Sequence, residues 1–331
     1  SQILDKWSVV MPVTKAKQLD FLQDAIRYTP TGLVTEMVVK DSLDSWQFPT
    51  TPECPACPVG SAKHVTDILK PSTWAHEYEK FIVFLTTGIP QFSIFVKGNS
   101  KLPFWAFSSL PGGVGGFLFC PGAGDCLGWC YSFKAWRYPA AYFRQLQNHI
   151  LLQSEMGRAY IATALLKLKT DSTVRLYVDG DFPNVDIMQF WFDLIKLRAD
   201  LSVYGYSKSW QVFLDYAKRD TFPENYILNL SSGSKYGEAV RLKMLELTTP
   251  QGLPVVRDDF LAVPAPFKMP DKRNNPAKWT EFAKAVKAYA QSIGYANGFV
   301  CPGKCGDCLP NGKHACGTRA MQGVPVLIGI H

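Results

Sequence analysis

Between residues 174 and 233 the apolar positions switch back and forth between two periods. Val174-Arg175-Leu176-Tyr177-Val178 reads as a strand and ends in Asp179-Gly180-Asp181. Val185–Arg198 follows, with Ile187, Phe190, Trp191, Leu194 and Ile195 at the spacing of a buried helix face. Leu201–Tyr206 predicts a second strand closing in Ser207-Lys208-Ser209, Trp210–Ala217 a short helix, and Tyr226–Leu230 a third strand closing in Ser231-Ser232-Gly233. Strand, helix, strand at this pace predicts right-handed βαβ units and a parallel sheet, hence an α/β fold. Such sheets place their ligands beyond the carboxyl ends of the strands. Asp179, Gly180, Asp181 and Lys208 are therefore the candidate cofactor-binding residues. The competing reading is a tight turn that needs its glycine and is capped by its carboxylates, with Lys208 a surface lysine.

The flanks are read the same way. Pro139 to about Leu168 predicts one long helix. Asn275-Pro276 opens a helix that stops before Gly294, and Val324–Ile330 closes as a strand. Upstream, Thr14 caps a predicted helix over Lys15–Tyr28, the stretch Trp46–Gly60 is Pro-rich, and Phe81–Leu85 and Phe92–Val96 read as strands. The texture changes near Gly98. Residues 1–90 are expected to be an α+β addition and residues 91–331 a separate cysteine-rich domain.

The nine cysteines change the picture most. Cys120-Pro-Gly-Ala-Gly-Asp-Cys126 and Cys301-Pro-Gly-Lys-Cys305-Gly-Asp-Cys308 share one frame, extended by Cys130 in the first and Cys316 in the second. Short spacings broken by Gly and Pro let a backbone curl around one ion or cluster. The candidate metal ligands are Cys120, Cys126, Cys130, Cys301, Cys305, Cys308 and Cys316. They divide most simply as three plus four, and they mix into one site if the sheet curls far enough to bring the knots together. Cys54 and Cys57 read as a loop without metal, and His314 as a loop histidine rather than a substitute ligand.

Composition adds limits. A chain of 331 residues with 47% apolar content supports a sizeable core, and a net charge of +7 without a Lys/Arg run is only weak support for a nucleic-acid partner. Ser1–Lys6 has no signal-peptide pattern and Phe81–Leu85 is too short to cross a bilayer, so the expectation is a cytoplasmic protein with no membrane partner. Nine cysteines in that setting read as ligands rather than disulfides. There is no Ser/His/Asp set, no phosphate loop ending in Gly-Lys-Ser/Thr and no His-Glu-x-x-His.

Gly98–Leu102, Ser109-Leu-Pro111, Cys120-Pro-Gly…Cys126…Cys130-Tyr131, Asn148, Arg175…Gly180-Asp-Phe182, Tyr206-Ser-Lys208 and Cys301-Pro…Cys305…Cys308…Cys316 form an ordered set. Over roughly residues 92–331 this set resembles the phage and plasmid family named for gene product eighty-eight. The family pattern ends in a tighter last cysteine followed by Trp; here seven residues, His314 among them, separate Cys308 from Cys316. The resemblance implies a viral or mobile-element origin, the host-cell cytoplasm, and a cluster-binding partial open (β/α) barrel.

Zinc and iron–sulfur both accept thiolates. Three cysteines in the first knot leave one iron of a [4Fe–4S] cluster open, and a cysteine loop between strand and helix resembles, distantly, the architecture of radical S-adenosylmethionine enzymes. Those enzymes carry Cys-x3-Cys-x2-Cys after the first strand, a spacing found here only at Cys301, Cys305 and Cys308. The expectation is an iron–sulfur protein with one or two [4Fe–4S] clusters and redox or radical chemistry or electron transfer in the infected cell. S-adenosylmethionine is the cofactor the analogy implies, and a small molecule or redox protein the partner. The alternative is a zinc-stapled module that binds nucleic acid or a host protein.

Overall fold

The computed structural model describes residues 71–98, 103–114, 117–126, 130, 132, 135, 138–309 and 314–330. The expected helix Lys15–Tyr28 and the Cys54/Cys57 pair lie outside the described residues.

Pro71–Thr87 (α1) is a helix, which corrects the strand expected at Phe81–Leu85. Five apolar residues in a row fit either period. Here Phe81 and Phe84 turn inward while Val83 stays 41% exposed, and Phe81 stacks on Phe143 with ring centroids 5.1 Å apart. The strand expected at Phe92–Val96 shrinks to Val96–Lys97 (β1), paired antiparallel with Trp105–Ala106 (β2). Side-chain amides take the backbone groups that a neighbouring strand would have taken. Gln147 Oε1 accepts from the Gln91 and Phe92 amides, Gln147 Nε2 donates to Phe92 O, and Asn148 Nδ2 donates to Ile94 O.

Gly113–Val114 (β3) and Phe117–Leu118 (β4) form a two-stranded ribbon that delivers the chain to Cys120. The helix expected over Pro139–Leu168 is two helices, Pro139–Leu152 (α2) and Glu155–Leu166 (α3). Ser154 breaks it by leaving helical geometry and accepting from the Gly157 amide as an N-cap.

The repeats then run Thr173–Leu176 (β5), Val185–Leu197 (α4), Ser202–Ser207 (β6), Trp210–Ala217 (α5), Tyr226–Ser231 (β7), Glu238–Leu245 (α6), Val256–Pro264 (β8), Pro276–Ser292 (α7), Phe299–Val300 (β9) and Val326–Ile330 (β10). β5 stops a residue pair early because Tyr177 takes φ 54°, outside the extended range. The main sheet has the order β1-β2-β5-β6-β7-β8-β10-β9, and every pairing except β1 with β2 is parallel. The sheet does not close: the expected partial open (β/α) barrel is the observed fold.

Alternation along the strands sorts the two faces. Val174, Leu176, Val203, Leu228 and Leu230 join the core packed by the helices, where Phe182, Phe192, Phe213 and Tyr226 form an aromatic cluster. Arg175, Tyr204, Tyr206, Ile227 and Asn229 occupy the alternate positions. Tyr204, Tyr206 and Ile227 pack there with Phe260, Cys301, Cys308 and Cys316. The C-terminal cysteine loop thus fills space that strand side chains alone fill in a closed barrel. Among the described residues no helix is long and apolar enough to cross a membrane.

Candidate metal centre

The first knot is pressed onto the carboxyl ends of β6 and β7. Gly124 N donates to Gly233 O at 2.9 Å, Lys235 N donates to Gly122 O at 2.9 Å, and Ser234 Oγ donates to both Gly122 O and Lys208 O. A Cβ on Gly122 would stand 1.6 Å from the Lys208 carbonyl oxygen, so the Cys-Pro-Gly step owes its glycine to close approach. This seating turns Cys120, Cys126 and Cys130 into a cleft of about 700 Å³, counted to its open mouth. Its other walls include Arg175, Tyr177, Asp181, Tyr206, Lys208 and Ser231.

Burial pushes the Cys120, Cys126 and Cys130 thiols up, and the Lys208 ammonium facing them works in the opposite direction. Gly112 N–H donates to Cys120 Sγ at 3.3 Å, and Ser132 N–H donates to the Cys130 sulfur. Lys208 Nζ is held by donating to Ser231 Oγ at 2.7 Å.

The strand-end carboxylates are both occupied by the protein. Asp181 accepts from Phe182 N and Ser207 Oγ on one oxygen and from Lys208 N and Ser209 N on the other, tying the end of β5 to the end of β6. Burial raises its pKa, and those hydrogen bonds oppose the rise. Asp179 accepts from Gln145 Nε2 of α2 at 2.9 Å and from Ser132 just past Cys130; burial raises it too. It lines a different hollow, shared with Ser108, Arg144 and Gln145. Gly180, between the two, has φ 87°. Of the four candidate cofactor-binding residues, the structure brings Gly180, Asp181 and Lys208 to the cleft and turns Asp179 away from it.

The second knot lies against Tyr204, Tyr206 and Phe260. Burial, reinforced by the charge of the neighbouring thiols, pushes Cys301 up to about 12 and raises Cys316. Cys305 is pushed up to about 11, again mainly by burial, with Arg175 opposing it. The Tyr206 hydroxyl donates toward the Cys316 sulfur, and the Arg257 charge also favours its thiolate. His314 is packed between Phe104 and Tyr204, at ring distances of 4.3 and 4.9 Å, and burial lowers it to about 4. That makes it a core residue rather than a solvated loop histidine. All seven described cysteines are free thiols. Among the described residues, no three Cys, His, Asp or Glu side chains stand as a group that could hold a metal ion.

The sequence pattern gives no role to three residues of this region, Arg257, Arg175 and Tyr206. Arg257 sits at a β-bulge, where β8 slips register against β7 between Leu228 and Asn229. It is 1% exposed, and among the described residues its guanidinium donates only to neutral oxygens: Asn229 Oδ1, Met321 O, Val324 O and Asp259 O. Arg175 lies 4.5 Å over the Tyr206 ring, where both line the first cleft. The available signal for Arg175 was a lone charge inside a short, otherwise uncharged strand, whereas Arg257 is followed by Asp258 and Asp259 and carried no such signal.

A family model described as Gene product 88 matches residues 86–256, just over half of the chain. The chain belongs to the Gene product 88 family. The matched span holds the first knot, Arg175, Tyr206 and Lys208 and stops before the second knot. No curated protein and no solved structure matches the chain.

Proposed function

We propose that this member of a phage-type family is an iron–sulfur-cluster-binding protein, serving redox or radical chemistry or electron transfer in the cytoplasm of the infected cell. The observation that carries the reading is Arg257. A buried guanidinium bonded only to neutral acceptors is costly unless an anionic group lies nearby. The Arg257 charge favours the thiolate of Cys316 in the second knot, and the Cys316 carbonyl is held by the same Asn229 that accepts from Arg257. A four-thiolate site is net negative when loaded, so the residues fit a metal–thiolate centre.

Cys301, Cys305, Cys308 and Cys316 would hold one cluster with all four positions taken. Cys120, Cys126 and Cys130 would hold another with one iron free. In a four-iron cluster each thiolate sits on its own iron, so the sulfurs stand farther apart than around a single ion. That is compatible with thiols that feel one another's charge without forming a single-ion group as placed. Bound there, a [4Fe–4S] cluster supplies one-electron transfer and, at an iron without a protein ligand, a place for a small molecule such as S-adenosylmethionine. The chain's own residues exclude water with Tyr177, Tyr206 and Phe260, and set the local charge with Lys208 and Arg175.

Anaerobic purification followed by iron and acid-labile sulfide analysis tests this. The expected protein is brown, and Cys120→Ser, Cys126→Ser and Cys130→Ser each remove one cluster's iron. A colourless protein carrying zinc, or iron content unchanged in all three variants, contradicts the assignment.

A further inference from the structure

Each cysteine site has a cation beside it, and a third cation, Arg175, lines the first cleft while its charge favours the thiolates of Cys305 and Cys316 in the second knot. Lys208 faces the first knot and is tied down by Ser231. Arg257 lies by the second knot behind Asn229. Arg175 stands between them. Its β5 position registers beside Tyr204, and its guanidinium lies 4.5 Å over the ring of Tyr206. Arg175 and Tyr206 both line the cleft with Cys120, Cys126 and Cys130. From the other side, Tyr204 and Tyr206 pack against Cys301, Cys308 and Cys316.

We propose that Arg175 is a counter-charge shared by the two cysteine sites, so that the charge on one site sets the reduction potential of the other. This rests on the metal–thiolate reading above. Reduction by one electron, delivered by an external one-electron donor, makes a thiolate-ligated site more negative without forming or breaking a bond. A cation held close by in a poorly polarisable interior favours that added charge. Removing it must lower the potential of every site it serves. The sign is the same for a hydrogen bond donated to a ligand sulfur, as Tyr206 does toward Cys316. A coupling free energy between two sites is reciprocal, so under this proposal a charge at the second site shifts the first by as much as a charge at the first shifts the second. Arg175 is a positioning residue in this scheme: it acts on the potentials and on no bond.

The test is an anaerobic redox titration of the full chain, with the two sites followed separately by electron paramagnetic resonance and iron content measured for every variant. Arg175→Gln should lower both potentials, and Arg175→Lys should leave both near the wild-type values. Lys208→Gln should lower only the first site's potential, and Tyr206→Phe only the second's. An iron-loaded Arg175→Gln protein with one potential moved, or neither, overturns the proposal. Should that variant not load, Cys316→Ser decides: emptying the second site must raise the potential of the first, and an unchanged first potential overturns the coupling. Wild-type protein without iron overturns the metal reading and the coupling with it, whereas iron at both knots with independent potentials overturns the coupling alone.

Discussion

Arg257 Nε donates to Asn229 Oδ1 at 2.6 Å, and Asn229 Nδ2 passes the connection on by donating to the Cys316 carbonyl at 2.8 Å. One buried amide therefore joins a buried cation to the cysteine that ends the second knot. Asn229→Leu keeps much of the volume and removes these two bonds together with a third, from Asn229 Nδ2 to the Gly205 carbonyl, leaving a guanidinium N–H and the Cys316 carbonyl without their partner. The expected cost is about 2–4 kcal/mol in a denaturant melt. Metal at the second knot should fall while metal at the first is retained; equal loss at both would place Asn229 in the general scaffold instead.

Gly122→Ala should abolish the seating of the first knot, because its Cβ would meet the Lys208 carbonyl oxygen at 1.6 Å. Backbone is the obstacle, and no rotamer relieves it. Metal retention at the first knot should drop at least tenfold, with an equilibrium destabilisation of about 2 kcal/mol or more. A variant that binds metal as the wild type does would mean that the knot seats differently.

Acid should destabilise the fold through His149. Burial against Phe119 and its neighbours lowers this imidazole to about 4, below its ordinary value of 6.5. Between those values the unfolded chain binds the proton and the folded chain does not, so stability falls as pH drops from about 6.5 to 4 and is fully present above that window. A shift of this size is worth up to about 3 kcal/mol. Chemical denaturation at a series of pH values should give a shallower acid slope for His149→Gln than for the wild type. Identical slopes would mean that His149 is not the titrating group.

The sequence pattern was legible where the period was unambiguous and punctuated. Trp210–Ala217 is the helix expected from it, and Asn275 caps the helix begun by Pro276, which ends before Gly294. Val256–Pro264 was invisible because Arg257, Asp258 and Asp259 interrupt its alternation. The bulge at Arg257 and the bidentate Arg241–Asp259 pair at the sheet's other side explain those charges only once the fold is known. Glu238–Leu245 was missed for a related reason: Met244 is its one fully buried residue, too little to mark a face. The cysteines announced themselves by repetition. Arg175 and Tyr206 entered only through the family resemblance and without a role, since a single arginine in a strand reads equally as a solvated edge, and only the register beside Tyr204 turns it inward.

Removing metal should cost stability, since a loaded site stabilises the native state alone. Prolonged anaerobic treatment with an iron chelator should lower the thermal midpoint of the wild type. Cys301→Ser, which lacks the all-cysteine set of the second site, should lose less on the same treatment. An unchanged midpoint after complete iron removal would mean that the thiols carry no structural metal.

The central claim is that the seven thiols form two separate iron sites, three ligands at one and four at the other. Anomalous scattering from a crystal of anaerobically prepared protein, recorded on both sides of the iron absorption edge, tests it most directly. Two iron peaks are predicted, one within bonding reach of Cys120, Cys126 and Cys130 and one within reach of Cys301, Cys305, Cys308 and Cys316. A single peak with ligands drawn from both knots, or no iron signal at either, would contradict the account.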